Sequence, residues 1–276
     1  MNRSEADLEY RGDSSWNSGM ENRYSGVRVF DSNEELLTGL AEYVTQISDA
    51  SVKERGAFSL VLSGGNLPTL LRKLTKAPYL RTLEWSKWHL LWADENLVAK
   101  KHPDSNYRQA KEAFISKVPI PPAHVISVAH GVPGEQAAED YEFRIRQLVR
   151  DRTVAASLST DCPRFDLILL LLGTDGHVAS LFPHHSALEV KSQWVAPVYD
   201  APRESVTITL PVINSAANVA IVATGTGVAP ALMSALGVTL PRGSHPAQLV
   251  SPTDGNLAWF SDAYAASLLS SDFRGI

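Results

Sequence analysis

The stretch FDLILLLLGTDGHVASLFP, residues Phe165–Pro183, decides the fold. Its first part, Phe165–Leu172, is apolar except for Asp166 and ends at a glycine. A short apolar run bounded by glycine predicts a strand buried on both faces, as in parallel sheets. The turn that follows carries Asp175 and His177. Because open α/β sheets bind ligands at the carboxyl ends of their strands, His177 is a candidate general base.

Predicted strands and helices alternate on both sides of this stretch. Strands are predicted at Val27–Phe30, Phe58–Leu62, Trp88–Ala93, His124–Val128, Trp194–Tyr199, Val206–Leu210, Val219–Thr224 and Gln248–Val250. Helices are predicted after Ser32, at Thr69–Leu74, from Ser105 to about Val118, and at Gly134–Arg152, Ala229–Leu236 and Trp259–Leu269. This alternation predicts an α/β fold with a mainly parallel sheet flanked by helices on both faces. We expect a single domain over residues 27–270, preceded by a disordered tail over residues 1–26.

The composition excludes several classes of protein. The chain has 276 residues, a net charge of −5 with both signs interspersed, and one cysteine, Cys162. This charge does not favour nucleic acid or a membrane surface as a partner. No apolar run approaches the roughly 20 residues that span a bilayer. Because the first 26 residues are acidic, unlike a signal or transit peptide, we expect a cytoplasmic protein.

Four strand-ending turns are expected to line one crevice, namely Ser63–Asn66, Asp94–Asn96, Gly173–His177 and Gly225–Gly227. Gly64 and Gly65 would let backbone N–H groups approach an anionic ligand. Two glycines after a strand are more often only a turn, and no Gly-Lys-Ser/Thr follows to make a nucleotide P-loop.

His177 carries the clearest indication of chemistry. Asp175 is placed to hold its tautomer, as the acid does in catalytic triads. Ser180 lies three residues further on, but no G-x-S-x-G elbow surrounds it, so activation of water is favoured over a covalent route. A metal site is not expected, because His184 and His185 follow a proline and lack helical spacing with other ligands.

Six segments of the chain together resemble the 6-phosphogluconolactonase family, in that family's order. They are LSGGNLPTLL, WADENLV with the following DSNYRQA, GTDGHVASLFP, ITLPVINSAANVAIVATGTG and PAQLVSPTDGNLAWFSDAYAASLL. The resemblance extends from about Val27 to Leu269, is most specific through DGHxASLFP and TLPVIN, and is greatest to plant-type members. These two motifs are less similar to those of the glucosamine-6-phosphate isomerases, which share the fold.

The resemblance implies a Rossmann-like fold and hydrolysis of 6-phospho-D-glucono-1,5-lactone to 6-phospho-D-gluconate in the oxidative pentose phosphate pathway, with no cofactor and no metal. His177 would activate water and Asp175 would assist it. Substrate-binding positions would be Gly64, Gly65, Asn66, Asp94, Asn106, Gly173, Gly176 and Arg203. The implied partner is a small sugar-phosphate lactone.

The sequence departs from the family pattern where phosphate-binding cations are expected. Asn96, Ser205 and Val228 occupy those three positions, and Leu171 replaces a glycine beside the active turn. Charge-assisted hydrogen bonds are each worth roughly 1.5–3 kcal/mol, so phosphate binding is expected to weaken unless Arg203 or another cation substitutes. The alternatives are a weakened or inactive lactonase-fold protein that acts as a binding or assembly subunit in a protein complex, and a lactonase for an unphosphorylated sugar acid.

Overall fold

The computed structural model describes residues 27–199, 201, 203–237 and 245–270. The strands are β1 Val27–Phe30, β2 Phe58–Leu62, β3 Trp88–Trp92, β4 Asp94–Asn96, β5 Ala155–Ala156, β6 Pro163–Arg164, β7 Leu167–Leu171, β8 Val195–Val198, β9 Ser205–Ile208, β10 Asn218–Ala223 and β11 Asn256–Asp262. The α-helices are α1 Asn33–Arg55, α2 Leu67–Leu70, α3 Tyr79–Thr82, α4 Asn106–Ala113, α5 Gly134–Arg150, α6 Leu210–Ile213 and α7 Ala229–Ala235. The tail predicted over residues 1–26 lies outside the described residues.

The main sheet has six strands in the order β1-β11-β10-β7-β2-β3, and all of its pairings are parallel. The strands β2 and β7 are neighbours in this sheet. Along the chain, the next strand of the sheet after β2 is β3, which pairs on the side of β2 away from β7. The next after β7 is β10, which pairs on the side of β7 away from β2. Loops leaving β2 and β7 therefore diverge and open a crevice at their carboxyl ends, as expected at a topological switch point. The predicted α/β fold with a mainly parallel sheet is confirmed.

Both faces of β7 are buried, as its unbroken apolar sequence predicts. Leu167 and Leu169 join the core beneath α1, whereas Ile168 and Leu170 join the opposite core, which includes α5 and α7. Successive strand side chains point to opposite faces, so one apolar run supplies both layers. Ser32 caps the start of α1, and its side chain accepts a hydrogen bond from the Glu35 N–H, as an N-cap residue does.

A second, antiparallel sheet in the order β4-β9-β8 stands beside the main one. Asp94 pairs with Thr207, Glu95 with Val206 and Asn96 with Ser205. The predicted turn at Asp94–Asn96 is wrong, because the chain changes sheets after Ala93 and pairs again at once. This sheet forms a wall for the crevice.

One predicted helix and two predicted strands are also wrong. Trp259–Leu269 is not a helix: β11 pairs between β1 and β10, and only Ala265–Leu268 turns as a 3-10 helix. Gln248–Val250 is not a strand, because Pro246–Leu249 forms a 3-10 turn. His124–Val128 makes only a single bridge from Val125 to Leu90, after a 3-10 turn that begins at Pro122.

Two predicted helices are shorter than expected. Leu67–Leu70 is helical and a 3-10 turn follows at Arg72–Thr75, in place of one helix over Thr69–Leu74. The helix capped by Ser105 ends at Ala113, and a 3-10 turn follows it. None of the helices among the described residues is both long and apolar enough to span a bilayer.

Two stacked histidines at the edge of the main sheet predict acid sensitivity. The rings of His89 and His124 lie 4.1 Å apart, and His89 Nδ1 is buried without a hydrogen-bond partner. Burial, together with the His124 ring, lowers the pKa of His89 to about 4, although Asp166 opposes the shift. The unfolded chain therefore binds more protons between about pH 6.5 and 4, and folding stability falls as the pH falls through that range.

His89→Phe is expected to remove this loss, which solvent screening of the partly exposed ring limits to about 1–2 kcal/mol, because phenylalanine keeps a stacked ring that takes no proton. Urea unfolding at pH 7, 5.5 and 4.5 measures the effect, with the exposed His102→Gln as control. An unchanged pH dependence in His89→Phe would show that another group causes the acid loss.

Candidate active site

A pocket of about 490 Å³ occupies the crevice at the carboxyl ends of β2 and β7. The turn after β2 supplies one wall, the turn after β7 supplies another, and β4 with the start of α4 supplies a third. Its described lining includes Ser63, Gly64, Gly65, Asp94, Asn96, Asn106, Leu171, Gly173, Asp175, His177, Ser180, Phe182 and Arg203. Ligand pockets in proteins are of this size.

His177 is held from two sides at the mouth of this pocket. Its Nδ1 lies 2.5 Å from Asp175 Oδ1, and the same carboxylate oxygen accepts a hydrogen bond from the His177 N–H at 3.1 Å. The Phe182 ring packs against the imidazole at 4.8 Å. Burial tends to raise the pKa of Asp175, but its hydrogen bonds to His177 outweigh this and hold the pKa below its ordinary value. An ionised Asp175 keeps the proton on Nδ1 and leaves Nε2 for a substrate or a water.

Glycines 173 and 64 make room for the two side chains that shape the pocket. A Cβ at Gly173 would lie 2.0 Å from His177 Nδ1, and a Cβ at Gly64 would lie 2.0 Å from Asn106 Oδ1. Any larger residue at either position would displace a pocket side chain. The sequence predicts that the Gly64 backbone approaches a ligand, and the geometry adds that Gly64 also has to leave room for the Asn106 side chain.

Asp94 is a buried carboxylate facing the pocket. Its Oδ2 accepts hydrogen bonds from Ser180 Oγ at 3.1 Å and from Asn106 Nδ2 at 3.3 Å. Its Oδ1 is buried and has no partner among the described residues. Burial raises the pKa of Asp94, against the hydrogen bonds from Ser180 and Asn106 and the charge of His177. An unpaired oxygen in this position suits a substrate hydroxyl group as donor.

Glu95, the next residue, points away from the pocket and anchors the start of α4. Its Oε1 accepts hydrogen bonds from the N–H groups of Asn106 and Asn96, at 2.7 and 3.0 Å. Its Oε2 accepts one from the Tyr107 N–H at 2.8 Å. Burial raises the pKa of Glu95 to about 7, although these backbone donors act against the shift. Glu95 therefore fixes the position of Asn106, a role that no local pattern in the sequence indicates.

The positive charge of the pocket is small. Arg203 is the single lysine or arginine among the described residues of its lining, and its guanidinium forms an ion pair with Asp104. The hydrogen bond from Arg203 lowers the pKa of Asp104. At the positions where the family pattern has cations, Asn96 donates to the Asp104 carbonyl, whereas Ser205 and Val228 are buried away from the described lining.

The structure brings most of the predicted site residues together. Those in the lining are Gly64, Gly65, Asp94, Asn106, Gly173, Asp175, His177 and Arg203. Asn66 lies outside it, and its Nδ2 is 3.4 Å from Thr224 Oγ1. Gly176 also lies outside it, with a left-handed φ of 82°, and a Cβ on it would lie 2.2 Å from His245 Nδ1. The turn Gly225–Gly227 does not reach the described lining, so only three of the four predicted turns meet.

Several lining residues were not among the predicted catalytic and substrate-binding positions. Phe182 and Ala179 follow His177 in the same motif, and Ala179 adopts a left-handed φ of 51°. Leu171 enters the pocket beside Gly65, where a Cβ on that glycine would lie 2.8 Å from its Cδ2. No side-chain chemistry marks Phe182 and Ala179 in the sequence, whereas Leu171 stands out there because it replaces a glycine of the family pattern. Among the described residues no cluster of three or more His, Cys, Asp or Glu side chains is arranged to hold a metal.

A family model described as glucosamine-6-phosphate isomerases/6-phosphogluconolactonase matches residues 31–259, which is most of the chain. The chain belongs to this family. The predicted resemblance is therefore confirmed.

Plant members of the glucosamine-6-phosphate isomerase/6-phosphogluconolactonase family are similar over nearly the whole chain. A probable 6-phosphogluconolactonase 1 from Oryza sativa subsp. japonica is 55% identical over 88% of this chain and 84% of its own length. A probable 6-phosphogluconolactonase 1 from Arabidopsis thaliana is 53% identical over 88% of this chain and 93% of its own length. Other Oryza sativa members, 45% identical, are named chloroplastic, so the cytoplasmic location stays a prediction.

Solved structures of the family share the fold. A 6-phosphogluconolactonase from Trypanosoma cruzi superposes with a TM-score of 0.76 and 26% identity, over 89% of this chain and 97% of the other. A 6-phosphogluconolactonase from Thermotoga maritima superposes with a TM-score of 0.70 and 26% identity, over 86% and 99%.

Proposed function

We propose that this member of the family hydrolyses 6-phospho-D-glucono-1,5-lactone to 6-phospho-D-gluconate, the reaction of the oxidative pentose phosphate pathway that its relatives' names indicate. The observation that carries the proposal is the His177–Asp175 pair at the mouth of a pocket of substrate size. An imidazole held by a carboxylate through Nδ1 is equipped to take a proton at Nε2.

His177 acts on water in the proposed mechanism. Nε2 accepts a proton from a water molecule while the water oxygen bonds to the lactone carbonyl carbon, giving a tetrahedral oxyanion. The bond from that carbon to the ring oxygen then breaks, and the ring oxygen takes the proton from Nε2 as it becomes a hydroxyl group. The carboxylic acid formed then releases a proton. General acid–base assistance of this kind is worth roughly 10²–10⁴-fold in rate.

Ser180 is not the nucleophile in this proposal. Its hydroxyl is buried and donates to Asp94 at 3.1 Å, so it has no hydrogen bond with His177 that would activate it. A serine nucleophile needs a base within hydrogen-bonding distance of its oxygen. The hydrogen bond to Asp94 instead favours a positioning role for Ser180, in which it holds the Asp94 carboxylate towards the substrate hydroxyls.

The phosphate end of the substrate is expected to bind weakly. Arg203 lines the pocket but is shared with Asp104, and Asn96 offers an amide where the family pattern has a cation. A phosphate dianion would compete with Asp104 for the guanidinium. This observation favours, as the second candidate, a weakened or inactive lactonase-fold protein that serves as a binding or assembly subunit.

A lactonase assay with two substrates tests the proposal. The purified chain is incubated with 6-phospho-D-glucono-1,5-lactone and, separately, with D-glucono-1,5-lactone, and each rate is compared with spontaneous hydrolysis. We expect a rate above background for the phosphorylated lactone. Rates equal to background on both substrates would reject lactonase function and favour the subunit. Activity confined to the unphosphorylated lactone would correct the substrate.

Arg203→Gln is expected to raise KM for the phosphorylated lactone about tenfold and to change kcat little. The reason is that Arg203 is the single described lysine or arginine in the pocket, and its half-exposed position limits the interaction to the lower end of charge-assisted bonds. Steady-state kinetics on both lactones measures the effect, and KM for the unphosphorylated lactone should not change. An equal rise for both substrates would mean that Arg203 does not contact the phosphate.

A further inference from the structure

A second concave surface lies on the outer side of α4, and the function proposed above makes no use of it. It is a groove of about 830 Å³ between the loop after β4 and the exposed face of α4. We call it the α4 groove, and its principal residues are Lys100, Lys101, Tyr107, Arg108, Lys111 and Glu112. Its volume is within the range of small-molecule sites.

The charge of the α4 groove is opposite to that of the whole chain. The chain has a net charge of −5, yet four of the six groove residues just named are cations and one is an anion. The anion, Glu112, accepts a hydrogen bond from Arg108 Nε at 2.8 Å and cancels that charge. Neither Lys101 nor Lys111 forms an ion pair with any of the described residues. The groove therefore keeps the charge of three lysines.

The cationic walls of the α4 groove are held in place by specific contacts. Arg108 Nη1 donates to the Lys101 carbonyl at 2.6 Å, which ties α4 to the loop. Lys100 Nζ lies 3.9 Å from the centroid of the Tyr107 ring and 3.5 Å from Ser127 Oγ. A cation over an aromatic ring is held electrostatically. Two of the four cations are thus positioned in advance of any ligand.

The floor of the groove is anchored in the protein interior. The Tyr107 ring packs on Trp92, which is fully buried in the core, at 5.5 Å, and the Tyr107 N–H donates to buried Glu95. None of the six groove residues belongs to the described lining of the catalytic pocket. Adjacent residues of α4, Asn106 and Tyr107, therefore serve two separate concave surfaces.

We propose that the α4 groove is a binding site for a small polyanion that carries two or more phosphate groups close together, as in a nucleoside diphosphate or a diphosphate ester. Three uncompensated lysines at a concave site match closely spaced negative charges, and the electrostatic attraction between them decreases with ionic strength. The concave shape favours a small ligand over an acidic protein segment. A ligand in the groove would contact α4, whose first residue, Asn106, lines the catalytic pocket.

Calorimetric titration of the full chain with inorganic pyrophosphate at 0.1 M salt tests the proposal. The groove variant is Lys101→Glu with Lys111→Glu, and the matched control is Lys53→Glu with Lys191→Glu, two exposed lysines outside the groove with the same change in net charge. We expect the groove variant to weaken pyrophosphate binding at least tenfold. The control pair and Arg203→Gln should each leave the Kd within twofold of the unmodified chain.

Several results would overturn the proposal. They are the absence of pyrophosphate binding to the unmodified chain, an equal loss in the groove and control variants, and a loss confined to Arg203→Gln, which would place the anion in the catalytic pocket. Binding of a poly-glutamate peptide without binding of pyrophosphate would assign the groove to an acidic protein partner. If the groove variant fails to fold by circular dichroism, Lys101→Gln with Lys111→Gln replaces it, and its Kd should rise at least threefold.

Discussion

Replacing His177 with alanine is expected to lower kcat for 6-phospho-D-glucono-1,5-lactone by roughly 10²–10⁴-fold, which is the value of general acid–base assistance. The imidazole is the group in the described pocket that is held by a carboxylate, at 2.5 Å from Asp175 Oδ1, with its second nitrogen left for the reaction. KM should change less than kcat, because the proton transfer contributes in the transition state and not in binding. Initial rates corrected for spontaneous hydrolysis measure the effect.

His184→Asn is the matched control for His177→Ala. His184 is exposed, lies outside the described pocket lining and has a left-handed φ of 62°, which asparagine tolerates. Its kcat should stay within twofold of the unmodified chain. If His177→Ala retains full activity above background, the proposed role of His177 is wrong. If both variants lose activity equally, the loss reflects disturbance of the whole turn.

Asp166→Ala is expected to destabilise the fold by about 3 kcal/mol, because it removes one partner of a partly buried ion pair and leaves Arg55 and the Ser59 donors without their acceptor. The Asp166 carboxylate forms an ion pair with Arg55 and accepts hydrogen bonds from Ser59 N–H at 2.8 Å and Ser59 Oγ at 2.7 Å. These contacts join the end of α1 and the start of β2 to the residue preceding β7. Urea unfolding at pH 7 measures the loss.

Asp140→Ala provides the comparison for Asp166→Ala, because Asp140 is an exposed aspartate on α5. Its stability should stay within about 0.5 kcal/mol of the unmodified chain, as is usual for surface changes. A loss below about 1 kcal/mol in Asp166→Ala would mean that Arg55 and Ser59 find water or other partners when the carboxylate is removed.

The sequence predicts those parts of the fold in which local pattern and tertiary pairing agree. β2, β7 and β10 are predominantly apolar runs, and each lies in the interior of the parallel sheet. β11 is the main strand that the pattern misses. Its Trp259 and Phe260 belong to a ladder between β1 and β10, while the helical spacing that suggested a helix comes from the 3-10 turn after it. Tertiary pairing overrides local periodicity there.

The sequence also predicts those parts of the candidate site whose residues lie within a single turn. His177, Asp175 and Gly173 lie in one motif, and the strand before them indicates where they meet a ligand. Contacts that join distant segments have no such local pattern. Ser180 with Asp94 and Arg203 with Asp104 are partners only because the second sheet folds against the first. The same applies to Glu95, whose hydrogen bonds to α4 depend on the loop between them.

The pairing of β4 with β9 constrains how this chain can change length. Consecutive residues of a strand face opposite sides, so Asp94 faces the pocket and Glu95 faces the start of α4. A one-residue insertion or deletion within Asp94–Asn96 would exchange these two carboxylates, because a slip of one residue reverses every side chain. The pocket would then receive the helix anchor, and α4 would lose it. Length variation among descendants of this sequence is therefore expected in the loops around β4 and not within it.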